Sequence, residues 1–384
     1  MIIELMAASI FSVSFTAANA AKNPYTYYSV GDPGVSPTVP APSDRSYVLM
    51  GGGTDVDEAF RWMIRQAGIT PATGGRLVVI RATGDGAYDP YIYFSDKKSS
   101  TSSVIKAGWV GGASLGLTSV ETLVIPSTTA ANDPFVNTVV GRANVVWIAG
   151  GDQSDYIKFW KGQALETTLK TVMNNNVPIG GTSAGLAVLG GFDFAAMNGT
   201  VTSTQALSDP YNAYMTFDPA PLSTFGGFIA PAVFANTIMD SHLDTRDRMG
   251  RLIAFVSRLI APYPGPGKQQ FGCKAGVLGN STASGIGIGE QAALLVWGNP
   301  RGGYQGRRVT NPSTTTESAV YFVNVTQGPT ACTAGKPLDV PASSVTIRKL
   351  AESSSTIDLP DWSRFPIYKS VGVSSGVLNP PDPY

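Results

Sequence analysis

The chain has 384 residues, of which 43% are hydrophobic, so it can bury the core of one large domain or two smaller ones. Its 27 basic and 27 acidic side chains balance to a formal net charge of zero, which lacks the basic field that nucleic-acid binding usually requires. A single histidine excludes any metal site that needs two histidines. We predict a globular protein with no nucleic-acid partner, no metal and no cofactor.

Residues 1–20 have the pattern of a signal peptide. An apolar run over residues 5–15 precedes Ala18-Asn19-Ala20, the kind of small-residue site that signal peptidase cleaves. The usual basic start is replaced by Glu4, so a buried N-terminal strand or helix is the alternative. No later apolar run is long enough to cross a membrane, and we expect a secreted or periplasmic protein without a membrane span in its mature form. Cys273 and Cys332 could then form a disulfide or stay as two buried thiols.

Residues 21–46 are rich in proline and serine and predict a surface lead-in. After them, short apolar runs alternate with helical patterns, as where residues 56–66 place Ala59, Phe60 and Met63 on one helical face. Strands without polar alternation are typical of a parallel sheet that is covered by helices on both faces. The sequence therefore predicts an α/β protein. The predicted strands are 47–50, 76–81, 122–126, 145–149 and 177–180.

Beyond about Glu290 the pattern changes to strands without convincing helices. Apolar runs at residues 292–297, 319–323 and 344–347 predict extra strands added to the edge of the sheet. We interpret residues 47–384 as a single domain with a β-rich C-terminal extension. The sequence leaves a homodimer open.

Gly181-Thr182-Ser183-Ala184-Gly185 matches G-x-S-x-G, the pattern that places a serine on a sharp turn between a strand and a helix. Ligands of an open α/β sheet bind at the carboxyl ends of its strands, and Gly150 and Gly151 end the neighbouring predicted strand. Backbone N–H groups at Gly150, Gly151 and Ala184 could therefore form an oxyanion hole. A glycine-flanked turn without chemistry is the alternative, whereas a phosphate loop is disfavoured because no Gly-Lys-Ser/Thr follows.

The single histidine, His242, lies in the charged run of residues 239–252. Its imidazole could act as a general base near neutral pH, and a buried histidine bound by backbone groups is the alternative. A serine, histidine and acid triad also needs a carboxylate that orients the imidazole. Glu290 ends a glycine-punctuated strand candidate and suits that role, while Asp240 and Asp244 are nearer in sequence.

A helix follows the histidine, because apolar residues recur on one helical face over residues 249–260. Asp244 could cap its start. Arg246 and Arg248 border the apolar stripe, and Arg251 points more nearly away from it. The three arginines could bind a substrate or form a solvated helix flank.

These motifs resemble those of the cyanophycinases, serine peptidases in a family shared with aspartyl dipeptidases, and the resemblance extends over residues 47–297. Gly150-Gly151-Asp152-Gln153 is similar to the family's Gly-Gly-Asp-Gln turn, and residues 180–185 to its Gly-Gly-Thr-Ser-Ala-Gly nucleophile motif. Residues 285–290 are similar to its Gly-Ile-Gly-Ile-Asp-Glu strand. Asp240-Ser241-His242 is similar to its Asp-Gln-His motif, which arginines follow.

The resemblance implies a three-layer α/β/α fold of the flavodoxin-like or class I glutamine amidotransferase-like type, with a mostly parallel sheet and extra C-terminal strands. It implies that Ser183 is the nucleophile, His242 the base and Glu290 the orienting acid. This chain order differs from the serine, acid, histidine order of α/β-hydrolases. The residues that the resemblance implies for substrate binding are Gln153, Asp240, Ser241, Arg246, Arg248 and Arg251.

The leading hypothesis is an exported serine peptidase that cleaves cyanophycin, a poly-aspartate chain with arginine on each side-chain carboxyl, to β-Asp-Arg dipeptides. Two positions depart from the family motifs, since Ser241 stands in place of glutamine and Gly289 in place of aspartate. They motivate the alternative of aspartyl or isoaspartyl peptides, or of an unrelated amide or ester. A third hypothesis is a secreted binding protein that keeps the scaffold without activity.

Overall fold

The computed structural model describes residues 22–96, 109–219, 226–261, 283–314 and 317–384. The predicted signal peptide and Cys273 lie outside the described residues. The described part of the chain forms ten α-helices: α1 Asp57–Gln66, α2 Tyr88–Tyr93, α3 Gly112–Leu115, α4 Thr128–Ala131, α5 Pro134–Gly141, α6 Gln153–Trp160, α7 Ala164–Asn174, α8 Ala184–Ala187, α9 Ser203–Ser208 and α10 Met249–Ile260. It contains no helix that is both long and apolar enough to cross a membrane.

The strands of the described part belong to one large sheet, a second sheet and a two-stranded ribbon. They are β1 Thr26–Gly31, β2 Ser46–Met50, β3 Arg76–Arg81, β4 Ser119–Val124, β5 Val145–Ile148, β6 Ile179–Thr182, β7 Asp193–Phe194, β8 Phe217–Asp218, β9 Thr237–Asp240, β10 Ser284–Ile288, β11 Ala292–Gly298, β12 Tyr304–Thr310, β13 Val320–Val325, β14 Val340–Leu350, β15 Ile357–Leu359, β16 Lys369–Ser374 and β17 Val377–Asn379.

The large sheet has the strand order β1-β4-β3-β5-β6-β2-β11-β12-β15. The central strands β4, β3, β5, β6 and β2 run parallel, and the outer strands on both sides are antiparallel. All five predicted strands are present at this centre. Because the central strands are parallel, their carboxyl ends meet at one edge of the sheet, where loops can combine into a site.

Helices cover both faces of the central sheet. Leu49 and Ile148 face the side on which α5, α6, α7 and α8 pack. Val48 and Trp147, the adjacent residues in the same strands, face the opposite side, where α1 packs. Alternate residues of a strand point to opposite faces, so unbroken apolar runs are buried on both sides. This arrangement confirms the predicted α/β class with its mostly parallel central sheet.

The second sheet, in the order β17-β16-β14-β13-β10-β9, corrects one prediction. We expected all the C-terminal strands at the edge of the first sheet, and only β11, β12 and β15 lie there. The others join β9 and β10 in a separate sheet, against which α10 packs. The chain crosses between the two sheets at Glu290 and Gln291, where Gln291 has a left-handed φ of 61°. Apolar patterning predicts strands but not their partners, so it did not separate the sheets.

The segment of residues 21–46 also contains structure that the sequence did not predict. Its strand β1 pairs antiparallel with β4 and extends the large sheet by one strand. The Tyr27 hydroxyl donates to Glu121 Oε2 at 2.8 Å, and Arg142 donates to the same oxygen at 2.7 Å. Glu121 is fully buried, so these bonds satisfy a carboxylate that would otherwise be costly to bury.

Candidate active site

Ser183 lies at the carboxyl edge of the large sheet, in the one-residue turn between β6 and α8. Its φ of 53° and ψ of −115° are unusual for a residue with a side chain. The flanking glycines are required by packing: a Cβ at Gly185 would lie 2.7 Å from the carbonyl carbon of Ile148, and one at Gly181 would lie 3.0 Å from Cα of Gly185. The G-x-S-x-G pattern thus forms a tight, strained elbow.

His242 reaches Ser183 from the second sheet. It is the second residue after β9, with a left-handed φ of 50°, and its backbone N–H donates to the carbonyl of Gly51 at 2.8 Å. Its Nε2 lies 2.8 Å from Ser183 Oγ, within hydrogen-bonding distance. The structure therefore brings the predicted serine and histidine together, although 59 positions separate them in the sequence.

Glu290 is the acid that contacts the imidazole. Its Oε1 forms a short hydrogen bond with Nδ1 of His242. A carboxylate at Nδ1 favours the tautomer that carries the proton there, which leaves Nε2 as the acceptor for the Ser183 hydroxyl. Glu290 lies in the turn between β10 and β11, so the parallel pairing of β9 with β10 places the acid beside the histidine.

Asp244 has a different place from the one predicted. We expected it to cap the following helix, but α10 begins at Met249 and has no side-chain cap from its preceding residue. Instead, Asp244 Oδ1 accepts from the backbone N–H of Glu290 at 3.2 Å and from that of Thr245 at 2.8 Å. The helix has the bounds that the apolar pattern predicted, so only the capping role was wrong, and Asp244 fixes the backbone of Glu290.

Two pKa shifts accompany the contact. Burial lowers the pKa of His242 below its usual 6.5, the hydrogen bond with Glu290 opposes this, and the charges of Arg246 and Arg248 lower it again. Burial tends to raise the pKa of Glu290, but its hydrogen bond and charge interaction with His242 outweigh burial, and the net shift is downward. At neutral pH the pair therefore holds a neutral imidazole and a carboxylate.

Gly51, Gly52 and Gly53, which the sequence analysis did not assign to the site, lie directly against its residues. A Cβ at Gly52 would lie 2.5 Å from Nε2 of His242, and one at Gly53 would lie 3.1 Å from Oε2 of Glu290. Gly51 is equally confined, because its Cβ would lie 2.7 Å from the carbonyl carbon of Gly289. These residues follow β2, which pairs with β6. Their position after a central strand was the signal that could have identified them.

The predicted oxyanion donors lie around the serine. Ala184 is the first residue of α8, so its N–H has no acceptor within the helix. Gly150 follows β5, the strand next to β6, and a Cβ at Gly150 would lie 3.4 Å from Cβ of Ser183. Gly151 comes next and is exposed. The backbone can therefore approach a substrate carbonyl closely at this edge.

Asp240 and Arg251 form a buried pair, contrary to the expected outward position of Arg251. The guanidinium donates to both carboxylate oxygens of Asp240, at 2.7 and 2.6 Å, and only 2% of the Arg251 side chain is exposed. It also lies over the rings of Phe194 and Phe255. The second sheet packs against α10 and covers the side of the helix that carries Arg251, which the helical pattern alone did not show. The structure presents neither side chain to a substrate.

The other predicted substrate residues differ in exposure. Arg246 is exposed, and Arg248 keeps 14% of its side chain exposed while it donates to the carbonyl of the buried Ser241 at 2.9 Å. Gln153 is the first residue of α6, and its amide donates to the carbonyl of Phe194 at 3.4 Å. Arg246 and Arg248 therefore remain the cations that a ligand at the histidine could meet.

The family comparison covers the serine half of this site. Residues 111–208 match the model of Peptidase family S51. This match supports a serine-type peptidase. It includes Gly150, Gly151, Gln153 and Ser183 and ends before His242.

Two solved structures are similar to this chain at low sequence identity. A peptidase from an acI-B1 Actinobacterium is 14% identical, and the match covers 82% of this chain and 97% of that chain with a TM-score of 0.43. A putative peptidase E protein from Listeria monocytogenes EGD-e is 12% identical, and the match covers 70% of this chain and 100% of that chain with a TM-score of 0.35. No curated protein matches the chain.

Proposed function

We propose that the peptidase cleaves its substrate through a triad of Ser183, His242 and Glu290. The observation that carries the proposal is the unbroken chain of contacts from Ser183 Oγ to Nε2 of His242 and from Nδ1 to the Glu290 carboxylate. A hydroxyl is a weak nucleophile until an adjacent base takes its proton, and this arrangement supplies the base and the group that orients it.

The reaction follows from these positions. His242 takes the Ser183 proton at Nε2 while Oγ attacks the scissile carbonyl carbon, and backbone N–H groups at Gly151 and Ala184 stabilise the oxyanion. The imidazolium then protonates the leaving amine, and the carbon–nitrogen bond breaks to give an ester at Ser183. Water, deprotonated by His242, attacks that ester and restores the free serine. Glu290 stabilises the imidazolium in both halves of the reaction.

The pH dependence of activity follows from the lowered pKa of His242. The base must be neutral, so kcat/KM should fall as the pH drops through a value below 6.5. Arg246→Gln removes a charge that lowers this pKa, so the acid limb should move to higher pH. The matched control is Arg301→Gln, which removes another exposed charge, from the turn after β11. An acid limb that does not move in Arg246→Gln, or moves equally in both variants, would contradict this electrostatic account.

We propose that the substrate is cyanophycin and that residues 1–20 act as a signal peptide through which the protein is exported. Arg248 and Arg246 lie beside the base, where they can bind the carboxylates of an aspartate-rich chain through charge-assisted hydrogen bonds. Burial lowers the pKa of Arg248 to about 10, which leaves it charged at neutral pH. The test incubates purified protein with insoluble cyanophycin and measures β-Asp-Arg release, with Ser183→Ala as the control. A folded enzyme that reacts with a fluorophosphonate probe at Ser183 but releases no dipeptide would exclude this substrate.

Arg248→Gln provides a sharper test of acidic-substrate binding. We expect KM for aspartate-rich peptides to rise by roughly tenfold or more, because a hydrogen bond to a charged group is lost. A neutral ester assayed with the same variant serves as the control, since it has no carboxylate for Arg248 to bind. If KM rises equally for both substrates, Arg248 supports the loop and does not bind the substrate's carboxylates.

Aspartyl or isoaspartyl peptides remain the second candidate substrates, and the surroundings of Gly289 favour them. A Cβ at Gly289 would lie 2.5 Å from Asp244 Oδ2, so an aspartate there would meet a like charge. The turn before Glu290 thus differs from the Gly-Ile-Gly-Ile-Asp-Glu motif of the cyanophycinases, which this chain resembles. Faster turnover of a small isoaspartyl peptide than of cyanophycin would favour this candidate.

A further inference from the structure

The loop that carries His242, residues 241–248, is held from outside by Tyr384. The Tyr384 hydroxyl lies 2.8 Å from the carbonyl of Leu243, to which it donates, and it accepts from the backbone N–H of Met249 at 2.9 Å. It also lies 3.2 Å from Oδ1 of Asp247. One hydroxyl therefore joins the residue after the histidine to the first residue of α10.

This loop needs support from elsewhere in the chain. His242 and Asp247 both have left-handed backbones, with φ of 50° and 45°, which residues with side chains rarely adopt. Helix α10 begins at Met249 without a side-chain cap from Arg248, so its first N–H would have no acceptor within the helix. The Tyr384 hydroxyl supplies that acceptor.

Tyr384 is itself anchored to the second sheet. Its ring packs edge-on against Tyr321 of β13, with 5.9 Å between ring centroids. Its backbone carbonyl accepts from the Tyr368 hydroxyl at 2.9 Å and also from the ammonium group of Lys369 in β16. Burial raises the pKa of Tyr384, so the hydroxyl keeps the proton that it donates. Tyr384 thus connects strands β13 and β16 of the second sheet to the histidine loop.

We propose that Tyr384 is a positioning residue that holds the His242 loop so that Nε2 stays within hydrogen-bonding distance of Ser183 Oγ. The inference rests on the proposed function and gives the C-terminal strands a part in it. Those strands lie outside residues 111–208, which the family model matches.

The expected effect comes from geometry. Displacing a catalytic group by about 1 Å can lower a rate by roughly 100-fold. The charged groups that face the imidazole are Glu290 from the second sheet and Arg246 and Arg248 from the loop itself. A loosened loop would admit water to the buried ring and weaken the burial that is the largest cause of the lowered His242 pKa. The rate should fall, and the pKa of His242 should rise toward its usual value.

The test is Tyr384→Phe, which keeps the ring against Tyr321 and removes only the hydroxyl. The matched control is Tyr27→Phe, which removes a hydroxyl bonded to Glu121 at 2.8 Å on the far edge of the large sheet. Two quantities are measured: the rate at which a fluorophosphonate probe labels Ser183, and the titration of the imidazole by NMR. The single histidine of the chain makes that NMR signal unambiguous.

We expect labelling to slow by roughly tenfold or more in Tyr384→Phe and the imidazole pKa to rise, with neither change in Tyr27→Phe. A labelling rate within about twofold of the unmodified protein and an unchanged titration would overturn the proposal, as would equal changes in both variants. If the unmodified protein is not labelled at all, the proposed function fails. The titration alone then decides the role of Tyr384, since a shift supports it and no shift overturns it.

Discussion

Replacing Ser183 with alanine should lower kcat by roughly 10⁴-fold to 10⁶-fold, and His242→Ala should have an effect of similar size. The reason is that Oγ and Nε2, 2.8 Å apart, act as one unit: the serine is unreactive without the base, and the base has no proton to accept without the serine. The double variant should therefore be little slower than either single one. The measurement is kcat on the best peptide substrate, and the residual rate should reflect substrate binding and the backbone oxyanion donors alone.

The loss of kcat in the double variant tests whether serine and histidine act as one unit. If the two losses multiply, serine and histidine act independently, and the triad assignment is wrong. A matched control is Ser208→Ala, which changes a serine at the end of α9, outside the triad. That variant should keep its activity, so a large loss there would indicate that the assay reports folding.

Gly52→Ala is expected to have the second largest effect, although the residue carries no reactive group. Its added Cβ would lie 2.5 Å from Nε2 of His242, closer than van der Waals contact permits, so the imidazole must move away from Ser183. A movement of about 1 Å can reduce kcat by roughly 100-fold. The left-handed φ of +99° at this position adds a backbone strain of about 1–2 kcal/mol to the free energy of folding.

Gly162→Ala separates these two effects. Gly162 also has a left-handed φ, +75°, but a Cβ there would meet nothing within 4 Å. Gly162→Ala reports the cost of the backbone strain alone, measured as a loss in the free energy of unfolding by denaturant titration. Gly52→Ala should lose at least as much, because its Cβ also clashes with His242, and only Gly52→Ala should lose activity. Full activity in a folded Gly52→Ala protein would show that the position of the His242 imidazole does not require a glycine at residue 52.

The local geometry of the serine turn and of the central strands was more predictable than the contacts made by distant residues. The elbow at Ser183 follows from local constraints, because the glycines at 181 and 185 are needed by the turn itself. Likewise, the short apolar runs of the central strands reflect burial on both faces, a local property of each strand. Such features depend on a few adjacent residues and can be predicted from them.

Features that depend on distant partners were not predictable in the same way. Arg251 is buried because it pairs with Asp240, packs on Phe194 and lies in a helix that the second sheet covers. The helical pattern of residues 249–260 contains none of these partners. The contact of Tyr384 with Leu243 spans 141 positions, and no local pattern marks it. The glycines that follow β2 were visible as a turn, but their role became clear only when the structure placed His242 and Glu290 against them.

The most direct test of the account is fluorophosphonate labelling of the folded protein, read out by mass spectrometry of the peptide that contains residue 183. The account predicts one adduct, on Ser183, that forms in the unmodified protein and is almost lost in His242→Ala, because the base at 2.8 Å activates the hydroxyl. No adduct in the folded unmodified protein, or equal labelling with and without His242, would contradict it.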